Sequence, residues 1–398
     1  MMPHTQGHVV VAPDKFKGTL TAAQVAAHVA AGLRRARPGL RIVTLPVADG
    51  GDGTVASAVS AGYRRAQAVV RGPAGQPVTA SFAVRGTAAI LEAAQVCGLG
   101  RLPGGRHLPL TATSYGAGEL ITASIAHGAR EIALGLGGVA CTDGGAGLVQ
   151  ALGGVLLGRS GEQIPPGGGA LRALDRLDLT RLRPPFGAAG RTAQPQPGGL
   201  AIARPLAAVA VTVAADVDNP LLGPDGAAAV YAPQKGASPR DVAMLEEGLT
   251  RWADVTERLL GHAYRDRPGA GAAGGLGFAA FAFLQADMRP GVDLLLDRVG
   301  FARHLRGARL VITGEGSLDA QTLRGKAPAG VARAARATGV PVVAVAGVSA
   351  LGARDLHRTG IAAAYTLTDI EPDLRRCMTD AGPLLENLAE RLARDWLT

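Results

Sequence analysis

"RLVITGEGSLDAQTLRGKAPAGVARAAR", residues 309–336, places an apolar run before a glycine-rich turn and an alanine-rich helical pattern. Leu310, Val311 and Ile312 form a short apolar block of the kind buried on both faces of a parallel sheet. Thr313-Gly314-Glu315-Gly316 then breaks it, and Gly325-Lys326 precedes the helix. The turn invites comparison with a Walker A loop and fails it. That motif needs glycine five residues before the Gly-Lys pair and Ser or Thr after it, where this chain has Ala320 and Ala327. What remains still suits an anion. The glycines let backbone N–H groups approach, and Lys326 adds charge where a helix begins.

Working outward, "HVVVAP" (8–13), "RIVTLPVA" (41–48), "PVVAVAG" (341–347) and "IAAAYTL" (361–367) have the same apolar character as "RLVITG" (309–314). Helical patterns such as "LTAAQVAAHVAAGLRRA" intervene, so the alternation predicts a doubly wound α/β sheet. Two of these strands open the chain and three close it. The domain is therefore expected to be discontinuous, 1–75 with 300–398, carrying an inserted α/β domain over 76–299. Strands in the insert are expected at 78–84, 88–96, 131–138 and 207–217, and helices at 116–127, 145–152, 239–262 and 275–285. The Pro/Gly-rich stretch 184–205 reads as an exposed loop.

Polar, glycine-rich turns recur after these strands: "APDKFKGT" (12–19), "ADGGDGT" (48–54), "GGVACTDGGAG" (137–147), "ADVDNPLLG" (215–223) and "TGEGSLDAQT" (313–322). In open α/β sheets that edge binds ligands. Two domains presenting such edges to each other would enclose a cleft. The turns carry carboxylates (Asp49, Asp52, Asp143, Asp216, Asp218, Glu315, Asp319). Only four of the 41 Lys and Arg residues are Lys, and all four, Lys15, Lys17, Lys235 and Lys326, sit in Gly-, Pro- or Asp-rich stretches between periodic segments. An ammonium is a compact point charge, whereas guanidinium is a planar fork. Carboxylates to hold magnesium or accept a proton, with cations to neutralise moving phosphate charge, are what phosphoryl transfer requires.

Other classes are poorly supported. The net charge of +9 comes from arginines scattered along helices, with no basic tract interleaved with aromatics, so nucleic acid is not expected. Apolar runs are too short and interrupted to span a membrane. "MMPHTQGH" lacks a basic-then-apolar leader pattern, and Cys97, Cys141 and Cys377 show no disulfide or zinc spacing; a cytoplasmic location is expected. "GAGAAG" (269–274) follows a polar stretch rather than a strand, which argues against a dinucleotide fingerprint. No Gly-x-Ser-x-Gly elbow or His-Glu-x-x-His occurs.

The motifs together resemble the bacterial glycerate kinases of the two-domain type. The resemblance runs over about residues 8 to 390. It rests on "APDKFKGTLTA", "LPVADGGDGT", "TSYGAGELI", "GLGGVACTDGGAGLVQALGG", "DVDNPLLGPDGAA", "PQKGASP", "GAGAAGGLG" and "TGEGSLDAQTLRGKAPAGVA". Val139, Cys141 and Thr142 depart from the family's pattern, and Asp143 is retained. The resemblance implies a flavodoxin-like domain from both chain ends plus an inserted α/β domain. It implies a phosphotransferase acting on an alcohol group, with ATP and D-glycerate as substrates, magnesium, 2-phosphoglycerate as product, and a monomer or homodimer.

Residue type and motif position then set the site expectations. Asp216, ranked first, competes with Asp49 and Asp52 as base or second metal ligand. Lys15 and Lys17 face the glycerate carboxylate or the moving phosphoryl group. Glu315 or Asp319 holds magnesium. Asp14, Asp52, Asp143, Asp218, Asn219, Lys235, Gly314, Gly316, Thr322, Gly325 and Lys326 bind substrate or ATP. A kinase for another small hydroxy acid and a non-catalytic nucleotide-binding regulator are the alternative readings.

Overall fold

A computed structural model of the chain describes residues 7–182 and 209–397. The expected 184–205 loop and the first residues of the expected 207–217 strand lie outside the described residues. The chain divides into two compact units, Met1–Tyr63 with Pro290–Thr398, and Arg64–Arg289. These divisions fall about ten residues before the expected ones, for a reason visible in the strands.

Unit 1 begins with β1 (His8–Pro13) and β2 (Ile42–Thr44). Unit 2 contributes β3 (Arg64–Arg71), β4 (Pro77–Arg85), β5 (Ala88–Glu92), β6 (Glu131–Gly135), β7 (Val155–Leu157), β8 (Arg176–Asp178), β9 (Ala210–Ala214) and β10 (Asp287–Arg289). The chain returns to unit 1 as β11 (Ala308–Leu318), β12 (Val342–Ser349) and β13 (Ala363–Thr366).

In unit 1 the order is β13-β12-β11-β1-β2 and every pairing is parallel. Numbered within the unit, this is 2-1-3-4-5, the flavodoxin-like order, whose switch point lies between β1 and β11. Val9, Val11, Leu310, Ile312, Val343 and Val345 are buried under helices Ala22–Ala36 and Ala381–Trp396. The first of these helices starts at a Thr21–Gln24 capping box. The two helices meet at Gly32, where a Cβ would lie 2.1 Å from the Glu386 carbonyl oxygen. Only glycine permits that approach.

Two strands differ from expectation. β2 is shorter than the run 41–48, although Leu45 and Val47 still donate to Val11 and Pro13 of β1. β11 continues past Gly314 through Glu315 to Leu318, because β12 supplies partners as far as Ser349. The first half of the expected loop is therefore strand, and Glu315 is held by a sheet rather than by a turn.

Unit 2 carries a six-stranded sheet in the order β10-β9-β6-β5-β4-β3. Its parallel part runs from β10 to β5, and β4 and β3 add antiparallel strands. β3 was not expected, since "RRAQAVVR" shows arginines to solvent along an edge; recognising it moves the boundary back to residue 64. The stretch 88–96 is a strand only to Glu92. Helices Tyr115–Ala126, Ala146–Ala151 and Pro239–Leu260 lie near their expected places, and Ala272–Leu284 carries left-handed backbone at Ala273, Gly274 and Gly275. Among the described residues, no helix is long and apolar enough to cross a membrane.

Candidate active site

The switch point of unit 1 gathers most of the expected residues of that unit. Ala12 and Pro13 of β1 lie opposite Thr313 and Gly314 of β11, so Asp14 and Glu315 emerge side by side from the carboxyl edge. The Asp14 amide donates to the Gly314 carbonyl at 2.8 Å. Gly314 must be glycine, because a Cβ would lie 2.3 Å from the Val345 carbonyl oxygen. A Cβ on Gly316 would lie 3.3 Å from the Lys17 amide nitrogen. Lys15 Nζ donates to the Asp52 carbonyl oxygen. Lys17 and Asp52 are exposed.

Asp49 follows β2 and accepts from the Gly51 amide at 3.1 Å. The backbone of Asp49 packs against the start of helix Gly291–Val299, where a Cβ on Gly291 would lie 1.8 Å from the Asp49 carbonyl oxygen. Sequence reasoning missed Gly291, since this contact joins residues far apart in the chain. Gly291→Ala is expected to displace the Asp49 turn and lower kcat by about tenfold or more, with the far-ultraviolet circular dichroism unchanged. Steady-state kinetics and that spectrum check it.

Beyond β11, Asp319 Oδ1 accepts from the Gln321 amide at 2.7 Å and the Thr322 amide at 3.4 Å. The fully buried Thr322 donates its hydroxyl to Glu315 Oε1. Lys326 immediately precedes the helix Ala327–Arg336, and its Nζ lies 3.7 Å from Glu315 Oε2. Gly325, at φ 109°, makes the turn before it.

The electrostatics are unusual. Burial pushes the Asp14 carboxyl up to about 7; Lys15 opposes this, while Asp49 and Glu315 add to it. Burial also raises Glu315, against the Thr322 hydroxyl and Lys326, with Asp319 and Asp49 adding to the rise. Carboxylates are thus crowded where water is scarce, a place that attracts a cation or a proton.

Magnesium fits these residues in one particular way. No group of three or more His, Cys, Asp or Glu among the described residues is arranged to hold a metal by itself. Magnesium keeps several waters and is commonly held by one or two carboxylates plus substrate phosphates. Glu315, raised by burial and by neighbouring carboxylates, suits that arrangement.

In unit 2, Asp143 is buried and its carboxylate is already occupied. It accepts from the Ser114 amide at 2.8 Å, the Ser114 hydroxyl at 2.9 Å, and the Gly145 and Gly147 amides at 3.1 and 3.2 Å. Burial raises its pKa against these bonds. Asp143 organises the turn, and Ser114, its main partner, was not singled out from the sequence. Lys235 is also buried, which lowers its pKa; its Nζ donates to the Cys141 carbonyl at 2.6 Å and to Thr142 Oγ1 at 3.4 Å. Asn219 binds the Asp225 carbonyl at 2.8 Å and accepts from the Tyr231 hydroxyl at 2.5 Å. Asp216 and Asp218 are exposed beyond β9.

Comparison with known proteins agrees with this fold and these motifs. A model of the "Glycerate kinase family" matches residues 9–194 and 199–397. A Bacillus subtilis glycerate kinase is 41% identical over 388 residues, 97% of this chain and 96% of that one. An Escherichia coli K12 glycerate 2-kinase is 39% identical over 363 residues, 90% of each. The crystal structure of a candidate glycerate kinase 2 from Salmonella typhimurium LT2 superposes with a TM-score of 0.81 at 37% identity, covering 98% of both chains. Matched over nearly its whole length, the chain belongs to the glycerate kinase family.

Proposed function

We propose that the protein transfers the γ-phosphoryl group of ATP to D-glycerate, giving ADP and 2-phosphoglycerate, and that the carboxyl edge of the unit 1 sheet carries the chemistry. The observation that supports this most is the meeting of Asp14, Asp49 and Glu315 with Lys15 and Lys326 around the β1/β11 switch point.

Lys326 stands where a ten-residue helix begins, so its ammonium and the helix dipole act together on ATP phosphates. Glu315 would hold magnesium through the oxygen that faces Lys326. Bound with ATP, magnesium would neutralise charge on the β- and γ-phosphates. Lys15 and Lys17, which follow β1, face the glycerate carboxylate or the moving phosphoryl group.

Asp14 takes the proton from the attacking hydroxyl. A carboxyl titrating near 7 can accept that proton and release it afterwards at neutral pH. This moves the base from Asp216, which is exposed. Asp143, Lys235 and Asn219 shape backbone turns in unit 2 through the bonds given above.

Lys326→Ala is expected to raise the KM for ATP by about tenfold or more and to lower kcat. Unchanged ATP kinetics would remove Lys326 from the phosphate site. ATP-dependent ADP release, measured over a panel of small hydroxy acids, tests the substrate. D-Glycerate should give the highest kcat/KM; a clear preference for another acid would keep the kinase and discard the substrate.

A further inference from the structure

We infer that Thr322 is a positioning residue, which turns one oxygen of Glu315 inward and leaves the other to face the reaction. The inference rests on the role given to Glu315 above.

Thr322 is completely buried, so it reaches no ligand itself. A threonine hydroxyl has a single proton. Here the oxygen accepts from the Asp319 amide at 3.0 Å, and the proton is given to Glu315 Oε1. The direction of the chain is therefore set: Asp319 N–H to Thr322 Oγ1, then Thr322 O–H to Glu315. Hydrogen bonds in such a chain strengthen one another where the dielectric is low.

Asp319 completes the device. Its Oδ1 holds the Gln321 and Thr322 amides, and Thr322 also donates its amide to the Asp319 carbonyl at 3.0 Å. Asp319 thus fixes the turn that presents the Thr322 hydroxyl. Its part is to hold this turn rather than to bind a metal directly. Glu315 has three side-chain torsions, and a free carboxylate would sample several orientations. With Oε1 tied, Oε2 faces Lys326 at 3.7 Å. A ligand on the Lys326 side meets one prepared oxygen.

Variants of Thr322 separate this role from simple packing. Thr322→Val keeps the shape and removes the hydroxyl. Thr322→Ser keeps the hydroxyl and loses a methyl group. Thr322→Ala loses both, and it differs from Thr322→Ser only by the hydroxyl, so the comparison stands even if the valine variant does not fold. Each is measured for kcat, for the KM of D-glycerate and for the magnesium concentration at half-maximal rate. Binding of Mg-ADP by titration calorimetry adds a readout independent of turnover.

Loss of the hydroxyl in the Val and Ala variants is expected to lower kcat and raise the magnesium requirement by about tenfold. It should weaken Mg-ADP binding in parallel and leave the KM of D-glycerate within about twofold. The serine variant should stay close to wild type. A packing role reverses the order, and valine performing as well as or better than serine overturns the proposal, as does alanine performing as well as serine. Glu315→Gln in the same assays separates the two layers. If it behaves as wild type, the role of Glu315 fails; if it loses activity while the valine variant does not, the positioning role alone fails.

Discussion

Glu315→Gln is expected to lower kcat by about 10²-fold or more, with a smaller change in the KM of D-glycerate. Glutamine keeps the shape and the acceptor for Thr322, so the fold should stand. It removes the negative charge that pairs with Lys326 at 3.7 Å. That charge is buried, so solvent compensates its loss poorly. The magnesium requirement should rise together with the fall in kcat. Steady-state kinetics at varied magnesium, with a thermal melt to confirm folding, are the measurement. A wild-type rate at ordinary magnesium would take Glu315 out of the chemistry.

Asp14→Asn is expected to stabilise the ligand-free protein at pH 8 and to disable it. Asp14 titrates near 7 in the folded chain against an ordinary 3.8, chiefly because it is buried. An acid whose folded pKa is raised favours the fold below its unfolded value and loses that contribution as pH climbs through the folded value. Wild type should therefore lose stability between about pH 4 and pH 7 through this group, while the asparagine variant should not. A difference of about three pKa units sets a ceiling near 4 kcal/mol; half of that would raise the melting temperature of a chain of this length by about 2 °C. The two proteins should melt alike at pH 4, apart from unrelated effects. Asparagine retains the acceptor for the Lys15 amide, so the gain is not offset there. Turnover at pH 8 should fall by about 10²-fold or more, and Asp216→Asn should lose less. A variant that melts lower than wild type at pH 8 would contradict the penalty of burying this charge.

The sheet of unit 1 was legible because its strands read as apolar runs, and all five are present, β1, β11 and β12 largely buried and the edge strands β2 and β13 only partly so. Its 2-1-3-4-5 order followed the resemblance rather than any periodicity. β3 was hidden by its composition, since an edge strand shows alternate residues to water and here those are Arg65, Gln67, Val69 and Arg71, with Arg64 exposed at the strand start. β10, "DMR", is too short to carry a pattern. Gly314 and Gly316 read as a loop, yet they belong to β11, where glycine serves a close approach to β12 and to the chain after β1.

The site was legible to the extent that chemistry follows strand ends. Asp14, Asp49, Glu315 and Lys326 stood out by type and position. What each does depends on contacts the sequence does not display. Asp143 reads as a ligand-binding carboxylate, and the sequence does not display that Ser114, 29 residues away, holds it twice. The sequence offered Asp319 for magnesium and Thr322 for substrate or ATP, and it does not display the hydrogen bonds that tie the two to each other.

Phosphorus NMR of the purified protein with ATP, magnesium and D-glycerate bears most directly on the proposed reaction. The γ-phosphate signal should decline while a 2-phosphoglycerate resonance grows in equal amount. No transfer to D-glycerate, or 3-phosphoglycerate as the only product, would contradict it.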